Sequence, residues 1–464
     1  MNTPFSALPL AEAMLANLDS LGYTSMTPIQ AQALPPVLNG EDLIAQARTG
    51  SGKTAAFGIG LLARLDPANF AIQGLILCPT RELADQVTKE LRRLARTMAN
   101  IKLVTLCGGT PIGPQANTLA HGAHIVVGTP GRILKHLQKG ALQLGQIQSV
   151  VLDEADRMLD MGFSAEIDAI MQKIPSHRQT LLFSATYPDT IAEMSAALQR
   201  NPVSVRIEAT HSVEHIEQTF YEVEKGSRTK TLVSLLAQAY IERRGTPTAL
   251  VFCNTKQQTQ ELADELAALG FYARALHGDL EQRERDRVLA QFANRSTAIL
   301  VATDVAARGL DIKDLDIVVN FELSRDPEVH IHRIGRTGRA GETGTAYSLF
   351  LSSEVHRLIG IENYQDSPVQ YGQVKFIDDL KGLKMKPNMV TLHIDAGRKD
   401  KIRPGDILGA LTGQDGVPGK QVGKIDLFDH VTYVAVERPI AKQALQLLSQ
   451  GKIKGRRFKA KRLH

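Results

Sequence analysis

The stretch Ala47–Thr54 reads ARTGSGKT, with Gly, Lys and Thr at the last three positions of a phosphate-binding loop. An apolar run precedes the stretch and an apolar helical pattern follows it, so the flanks also fit the strand, loop and helix that this motif needs. Glycines let several backbone N–H groups point at one anion, and the helix N-terminus adds its dipole. We expect Lys53 to reach the outer phosphates and Thr54 to ligate Mg²⁺. The predicted nucleotide-binding residues of the loop are Thr49, Gly50, Ser51, Gly52, Lys53 and Thr54.

A run of carboxylates, DEAD at 153–156, follows an apolar strand predicted at 149–152. The carboxyl ends of parallel strands meet at one edge of a sheet, which brings the run next to the phosphate loop. We expect Asp153 to hold Mg²⁺ and Glu154 to orient and deprotonate an attacking water. Taken alone, the run is equally well an acidic turn at a helix start. Together with the phosphate loop it indicates a nucleotide hydrolase.

Short apolar runs alternate with helical patterns after the phosphate loop, which indicates a parallel sheet covered by helices on both faces. A later stretch repeats the first: LILCPT at 75–80 matches LVFCNT at 250–255, and a helical pattern follows each. Such self-similarity predicts two copies of one α/β unit. The second copy has no phosphate loop, so it either serves the nucleotide of the first copy or has a structural role. Residues 203–217 and 364–389 are predicted linkers.

The basic residues are concentrated at one end of the chain. Residues 381–464 hold 18 basic and 7 acidic residues, whereas residues 1–380 hold 36 basic and 42 acidic residues. This distribution predicts a polyanion-binding appendage on a mildly acidic body. Three cysteines without metal-ligand spacing predict buried, reduced thiols, and no stretch approaches ~18 apolar residues. We therefore expect a soluble, cytoplasmic protein that does not bind membranes. We expect a monomer, with an oligomer as the alternative.

Eleven ordered motifs across residues 1–350 resemble those of DEAD-box RNA helicases. Besides ARTGSGKT and DEAD, they are GYTSMTPIQ at 22–30, PTREL at 79–83, GG at 108–109, TPGR at 129–132, SAT at 184–186, FCNT at 252–255, HGDLEQRER at 277–285, TDVAARGLD at 303–311 and HRIGRTGR at 332–339. The resemblance implies an α/β fold: two tandem RecA-like parallel-sheet domains, residues 1–207 for ATP and 215–365, followed by a small α+β domain at 386–464. It implies ATP and Mg²⁺ as cofactors and RNA as partner.

The same resemblance implies roles for individual residues. Gln30 would read the adenine edge, with Phe5 and Tyr23 packed near the base, and Asp311 would contact the ribose. Arg336 and Arg339 resemble arginine fingers, which would join Lys53 and Glu154 in catalysis and let the second copy complete the first one's site. The implied RNA contacts, mostly to phosphate and sugar, are Arg81, Gly109, Thr129, Arg132, Asn254 and Thr303. The implied groups that couple phosphate state to domain closure are Ser184, Thr186 and His332.

The last domain resembles a degenerate RNA-recognition motif of β-α-β-β-α-β order. VTLHI at 390–394 and VTYVAV at 431–436 resemble its two central strands. Only Tyr433 keeps a motif aromatic and His393 stands where an aromatic often lies, so base stacking on the sheet is an open question. The tail KIKGRRFKAKR at 452–462 is a predicted phosphate-binding surface. The alternatives are a merely solvated charged face and a module that binds a protein. Its predicted RNA contacts are Lys452, Lys454, Arg456 and Arg457.

The helicase motifs and this degenerate domain together resemble the bacterial DbpA subfamily. That resemblance implies recognition of a hairpin in large-subunit (23S) ribosomal RNA and a role in ribosome assembly. The predicted function is an RNA-dependent ATPase that opens short RNA duplexes locally, with ATP and RNA together closing the two domains. Two alternatives remain: an ATP-gated RNA clamp or RNA chaperone without productive unwinding, and a DNA helicase, against which the Gln30 motif and the basic module weigh.

Overall fold

The computed structural model describes residues 3–47, 50–207, 216–243, 245–307, 315–338, 344–377, 385–413 and 416–463. The chain forms two compact units, and each is described by itself. One unit is the first α/β domain, and the other combines the second α/β domain with the C-terminal module. Within the described ranges, the structure contains no helix with the length and apolar character needed to cross a membrane.

The first domain is built on a seven-stranded parallel sheet. Its strands are β1 Leu43–Gln46, β2 Gly74–Leu77, β3 Leu103–Leu106, β4 Ile125–Gly128, β5 Ser149–Asp153, β6 Gln179–Ser184 and β7 Val203–Arg206. Their order in the sheet is β3-β4-β2-β5-β6-β1-β7. The helices are α1 Glu12–Ser20, α2 Pro28–Asn39, α3 Lys53–Ala63, α4 Arg81–Leu94, α5 Ile112–Ala120, α6 Pro130–Gln138, α7 Ala155–Asp160, α8 Ser164–Met171 and α9 Asp189–Leu198.

The second domain repeats this plan. Its strands are β8 Ile216–Glu222, β9 Ala249–Cys253, β10 Ala273–Leu276, β11 Ile299–Thr303, β12 Ile317–Asn320, β13 Gly344–Phe350 and β14 Gln370–Tyr371, and all the pairings among them are parallel. The helices are α10 Arg228–Arg243, α11 Lys256–Ala268, α12 Gln282–Ala293, α13 Asp304–Ala307, α14 Pro327–Ile334 and α15 Val355–Gln365. The sheet order, β10-β11-β9-β12-β13-β8-β14, matches the first sheet position by position. The predicted internal repeat is therefore confirmed.

The C-terminal module has the predicted β-α-β-β-α-β order. Its elements are β15 Met389–Ile394, α16 Pro404–Thr412, β16 Val422–Leu427, β17 Thr432–Glu437, α17 Ala441–Gln450 and β18 Ala460–Arg462. The antiparallel sheet has the order β16-β17-β15-β18, so β15 and β17 are the two central strands, as predicted.

Burial on both faces explains the continuous apolar strands of the α/β domains. In β2, Ile76 packs into one core cluster of the first domain while Leu75 and Leu77 pack into the other. The repeat also extends to helix capping, because Thr80 and Thr255 are N-caps with nearly identical backbone angles. Each hydroxyl accepts a hydrogen bond from the backbone N–H three residues on. The two strand-to-helix connections are therefore built by the same local chemistry.

Both predicted linkers are shorter in the structure than the sequence indicated. Val203–Arg206 forms β7, which pairs with β1, and Ile216 already begins β8. In the second case α15 continues to Gln365 and the two-residue strand β14 pairs with β8. Both strands lie at a sheet edge, where polar residues are tolerated and hydrophobic periodicity is weak.

Candidate nucleotide site and nucleic-acid interface

The phosphate loop is shaped by two glycines with positive φ. Gly50 has φ +86° and Gly52, the N-cap of α3, has φ +97°. A Cβ at Gly52 would lie 2.5 Å from Gln30 Nε2 and 3.0 Å from Thr27 Oγ1, so the position has neither the backbone freedom nor the space for a side chain. Gln30 Nε2 donates to the Gly52 carbonyl at 3.2 Å, and Gln30 Oε1 accepts from the Thr27 N–H at 2.9 Å. Gln30 therefore ties the start of α2 to the loop.

Two buried charged groups flank this loop. Lys53 is 6% exposed at the start of α3, and Asp153 is 3% exposed at the end of β5. Neither Lys53 Nζ nor Asp153 Oδ1 has a hydrogen-bond partner within the described ranges. Burial raises the pKa of Asp153 to about 7, while the nearby Lys53 charge acts to lower it. Burying two polar atoms without hydrogen bonds costs free energy, and this cost is expected where an anionic ligand and a cation bind.

The donor set fits Mg²⁺ held together with a nucleotide. The described residues include no group of three or more His, Cys, Asp or Glu side chains that could hold a metal ion alone. Mg²⁺ commonly binds through one or two protein oxygens and the phosphates of its substrate. Thr54, the second residue of α3, and the free Oδ1 of Asp153 are of that type. The buried Oγ of Ser51, which has no hydrogen-bond partner in the described part of the chain, is a further polar group in the loop.

The remaining DEAD residues are linked to the SAT motif. Glu154 is buried at φ +53°, a strained conformation for a non-glycine residue, and it is the N-cap of α7. Thr186 Oγ1 donates to Asp156 Oδ2 at 3.2 Å, and the Thr186 N–H donates to Ser184 Oγ at 3.3 Å. The predicted coupling residue Thr186 therefore contacts the carboxylate run, and Ser184 in turn bonds Thr186. Asp156 had no assigned role, although its place in DEAD was a usable signal.

The predicted adenine contacts lie together at the N-terminal end of the first domain. The rings of Phe5 and Tyr23 meet edge to face at 6.0 Å, and Phe5 is buried in the first core cluster. Tyr23 Oη donates to Glu90 Oε1 at 2.6 Å. Their contact with a base stays a prediction, as does adenine recognition by Gln30. Thr49 lies outside the described residues.

The strand order divides the predicted site residues of the first domain into two neighbouring groups, both at the carboxyl ends of the strands. The nucleotide group follows β1, β5 and β6, which are adjacent strands. The predicted RNA group follows β2, β3 and β4, which are also adjacent: Arg81 begins α4, Gly109 lies in the turn after β3, and Thr129 caps α6 ahead of Arg132. Ligands of parallel sheets collect at this edge, so the topology places both groups where binding is expected.

The second domain gathers its predicted residues around a buried arginine that sequence reasoning missed. Arg333 Nη2 donates to Asn254 Oδ1 at 2.8 Å, and its Nε and Nη2 both bond the carboxylate of Asp304, next to Thr303. The side chain also covers the Phe252 ring, at 5.2 Å from its centroid. Arg333 thus links the predicted RNA contact Asn254 to Asp304, the residue that follows the predicted RNA contact Thr303. Its position inside HRIGRTGR was the available signal.

Other residues of the HRIGRTGR motif have local partners. His332 Nε2 lies 3.4 Å from Glu328 Oε1, one turn earlier in α14. Arg336 is buried just after α14. Arg339 and Asp311 lie outside the described residues. The roles assigned to these four residues stay predictions.

The central strands of the C-terminal module turn one face toward the second domain. Val390, Leu392 and Ile394 point into the module core, so Thr391 and His393 lie on the opposite face beside Tyr433. Tyr433 is 4% exposed and clusters with Ala290 of α12 and with Leu463. The module aromatic that was considered for base stacking is therefore buried against the second domain.

The basic tail begins with a tight turn. Ile453 and Arg456 exchange two backbone hydrogen bonds, and Lys454 and Gly455 between them both have positive φ. Lys452, Lys454, Arg456 and Arg457 are exposed. Arg456 has intramolecular partners: it lies 3.7 Å from Asp400 and covers the Phe458 ring at 5.0 Å. A cleft of about 600 Å³ beside the tail is lined by Asp395, Ser449, Arg457, Phe458, Lys459, Ala460 and Lys461.

Fold and phosphate loop together define a nucleotide-dependent enzyme with two RecA-like domains, and comparison with known proteins places it in a family. Residues 27–194 match the DEAD/DEAH box helicase family, residues 227–341 the helicase conserved C-terminal domain, and residues 391–462 the DbpA RNA-binding domain. The chain is 51% identical over 98% of both chains to the ATP-dependent RNA helicase DbpA of Escherichia coli. It is 34% identical to DbpA of Bacillus subtilis, again over 98% of both chains.

Solved structures agree with this assignment. Dbp5 of S. cerevisiae bound to RNA and ADP–BeF3 is 30% identical with a TM-score of 0.72, over 80% of this chain and 95% of Dbp5. The chain belongs to the DEAD-box ATP-dependent RNA helicases, and its C-terminal module is a DbpA RNA-binding domain. It is accordingly an RNA-dependent ATPase of the DbpA type.

Proposed function

We propose that the protein couples Mg²⁺-dependent, RNA-stimulated ATP hydrolysis to local opening of short RNA duplexes, and that its target is structured large-subunit (23S) ribosomal RNA during ribosome assembly. The supporting observation is a pair of buried groups at the phosphate loop, Lys53 Nζ and Asp153 Oδ1, that have no hydrogen-bond partner among the residues that the structure describes. A protein gains nothing in stability from two such groups unless a ligand satisfies them. Their cost is offset when a nucleotide and its cation bind.

The residues of the loop divide the work by charge. Lys53 supplies a positive charge to the outer phosphates, while Thr54 and Asp153 offer oxygens to the cation. Mg²⁺, when bound, neutralises phosphate charge and orients the phosphate chain. Gln30, locked between Thr27 and Gly52, keeps the loop conformation that aims its N–H groups at phosphate.

Glu154 is the proposed general base. Its φ of +53° at the N-cap of α7 is held by the surrounding fold, and strain of this kind concentrates at functional sites. A carboxylate within hydrogen-bond reach of a water can orient it and take its proton. Asp156, bonded to Thr186, connects this position to the SAT motif.

The ribosomal target rests on the C-terminal module. The module matches the DbpA RNA-binding domain, and the chain shares 51% identity with a protein named for RNA helicase activity. The exposed basic tail supplies phosphate contacts, and the adjoining cleft offers the Phe458 ring and several cations. We infer that the RNA contacts of the module lie along this tail, because the sheet face is occupied by the second domain.

Strand displacement tests the proposal. A short RNA duplex with one labelled strand is joined to a hairpin from large-subunit ribosomal RNA, and strand release is followed with and without ATP. We expect ATP-dependent release with the ribosomal hairpin and much less with an unrelated hairpin of equal length. Lys53→Ala provides the inactive control. ATP-dependent binding without strand release would instead support the clamp or chaperone alternative.

We also propose that the protein is a monomer and works in the cytoplasm. The three cysteines, Cys78, Cys107 and Cys253, are free and buried. Buried thiols that are not paired agree with a reducing compartment. Sedimentation of the purified protein with and without RNA measures the oligomeric state directly.

A further inference from the structure

Gln115, on α5, lies between two predicted RNA-contacting segments of the first domain and uses both ends of its amide. Its Nε2 donates to the Cys107 carbonyl at 3.0 Å and to Thr110 Oγ1 at 2.9 Å. These bonds hold the turn that contains Gly109, whose φ is +75°. The turn follows strand β3, at the same sheet edge as the other predicted RNA contacts.

The oxygen of the same amide faces the second segment, helix α6. Arg132 Nη1 donates to Gln115 Oε1 at 2.9 Å and to the Thr110 carbonyl at 2.8 Å. A guanidinium has no acceptor, so the amide can face it only with the oxygen. The amide orientation is therefore fixed, and Gln115 bridges the Gly109 turn to Arg132.

A buried histidine completes the arrangement. His136 Nε2 lies 2.9 Å from Gln115 Oε1, and because that oxygen only accepts, Nε2 carries the hydrogen. Burial lowers the pKa of His136, and the neighbouring charges of Arg132 and Lys139 lower it further. The ring is thus neutral at pH 7 and acts as a fixed donor.

We propose that Gln115 is a positioning residue for RNA, which sets the Gly109 turn and the Arg132 side chain in the geometry that a bound strand requires. The proposal rests on the proposed function, in particular on RNA contact by Gly109 and Arg132. Preorganisation of this kind lowers the free-energy cost of ordering the site when the ligand binds. Loss of Gln115 then weakens RNA binding, although Gln115 itself need not touch RNA.

The test measures the RNA concentration that gives half-maximal ATPase stimulation, the maximal rate and the ATP affinity. Gln115→Met keeps the length of the side chain and removes all four hydrogen bonds. We expect the half-maximal RNA concentration to rise about ten-fold, as for loss of a hydrogen bond to a charged group. The maximal rate stays within about two-fold and ATP affinity is kept, because the nucleotide group lies on other strands. Gln172→Met, an exposed glutamine of the same domain, is the matched control.

Two further variants separate positioning from a structural role. His136→Gln keeps a donor toward Gln115 and should stay near wild type, whereas His136→Leu should raise the half-maximal RNA concentration about three-fold, as for a neutral hydrogen bond. Combining Gln115→Met with Arg132→Gln should give less than the product of the two single effects, because the residues act through one contact.

The outcomes distinguish this inference from the proposed function. If Arg132→Gln weakens RNA stimulation while Gln115→Met lowers only thermal stability, the positioning role is wrong and the RNA contact stands. If Arg132→Gln has no effect on RNA stimulation, the assigned RNA contact is wrong and the positioning role falls with it.

Discussion

The hydroxyl oxygens of Ser296 and Thr391 lie 2.6 Å apart, which joins the second helicase domain to the sheet of the C-terminal module. Asn294 Nδ2 donates to the same Thr391 hydroxyl at 3.2 Å. Near these polar bonds, Tyr433 packs on Ala290 and Arg438 covers the Tyr272 ring at 5.3 Å. The face on which an RNA-recognition motif stacks bases is here part of a domain interface, so RNA recognition is left to the rest of the module.

Replacing Thr391 with Val should weaken this interface. The substitution keeps the side-chain shape but leaves the buried Asn294 Nδ2 without its acceptor, at a cost of about 1–3 kcal/mol, while the Ser296 hydroxyl keeps its bond to the Gln291 carbonyl. Hydrogen exchange of β15 and α12 reports the loss. Thr412→Val is the matched control, because the Thr412 hydroxyl bonds only to the Leu408 carbonyl of its own helix in the described structure. Equal protection of both segments in the two variants would refute the interface.

Arg457 and Arg456 should contribute unequally to RNA binding. Arg456 is already engaged by Asp400 and Phe458, whereas Arg457 lines the open cleft. Arg457→Gln should reduce the slope of log affinity against log salt by about 0.7–0.9, the value for one phosphate contact. Arg456→Gln should change the slope less. A larger change for Arg456 than for Arg457 would contradict this assignment.

Gly52→Ala should abolish tight nucleotide binding. The new Cβ would meet Gln30 Nε2 at 2.5 Å, in a backbone conformation with φ +97° that alanine rarely adopts. We expect ATP affinity to fall more than ten-fold, because a loss of only about 1.4 kcal/mol in binding free energy lowers affinity ten-fold. Gly140→Ala is the control, since Gly140 has φ +67° but open space around the added Cβ. The control should lose a little stability and keep ATP affinity; equal affinity in both variants would rule out the loop clash.

The second domain should lose stability in mild acid because of His330. This ring is fully buried, stacks on Phe220 and contacts Asn320 and Gln218. Burial, together with the smaller effect of the Arg333 charge, lowers its pKa to about 3. The unfolded chain takes up the proton near pH 6.5, so the contribution is complete above that pH and is lost as pH falls toward 3, by about 1.4 kcal/mol per pH unit.

The measurement for His330 compares wild type with His330→Gln, whose side chain does not titrate. Unfolding in urea is monitored through the hydrogen exchange of β12 and α14, at pH 7.5 and at pH 5.5. The difference between the two pH values gives the pH slope of the unfolding free energy for each protein. The pH slope of the unfolding free energy should be smaller in the variant by up to about 1.4 kcal/mol per pH unit, the contribution of one buried histidine. The same slope in both would show that His330 does not titrate on unfolding.

The sequence was sufficient for those parts of the fold that rest on local chemistry. Continuous apolar runs such as 74–77 became central strands because parallel strands are buried on both faces. The match between LILCPT and LVFCNT predicted two copies of one α/β unit. The structure has the same strand order in both sheets and a Thr N-cap at the same place in both copies. The phosphate loop follows β1 and the carboxylate run follows β5, the two strands on either side of β6, so both lie at the same end of the sheet, as expected from its parallel strands.

What the sequence could not provide depends on contacts between distant residues. The two-residue strand β14 has no periodicity of its own and exists because β8 offers it an edge. From the sequence, Tyr433 is a candidate for base stacking, but in the structure α12 covers it. Gln115 acts through bonds to residues farther along the chain, and no local pattern distinguishes it from ordinary polar side chains. Arg333 lies inside a motif, but its bond to Asn254 joins residues far apart in the chain and is visible only in the structure.

The most direct measurement of the central claim is RNA-stimulated ATP hydrolysis by Glu154→Gln, with ATP-dependent RNA binding measured on the same preparation. The substitution keeps size and hydrogen bonding but removes the proposed base. We predict that turnover falls at least 10²-fold, the typical contribution of general base catalysis, while RNA binding with ATP persists. RNA-stimulated turnover near the wild-type rate would contradict the assignment of the site.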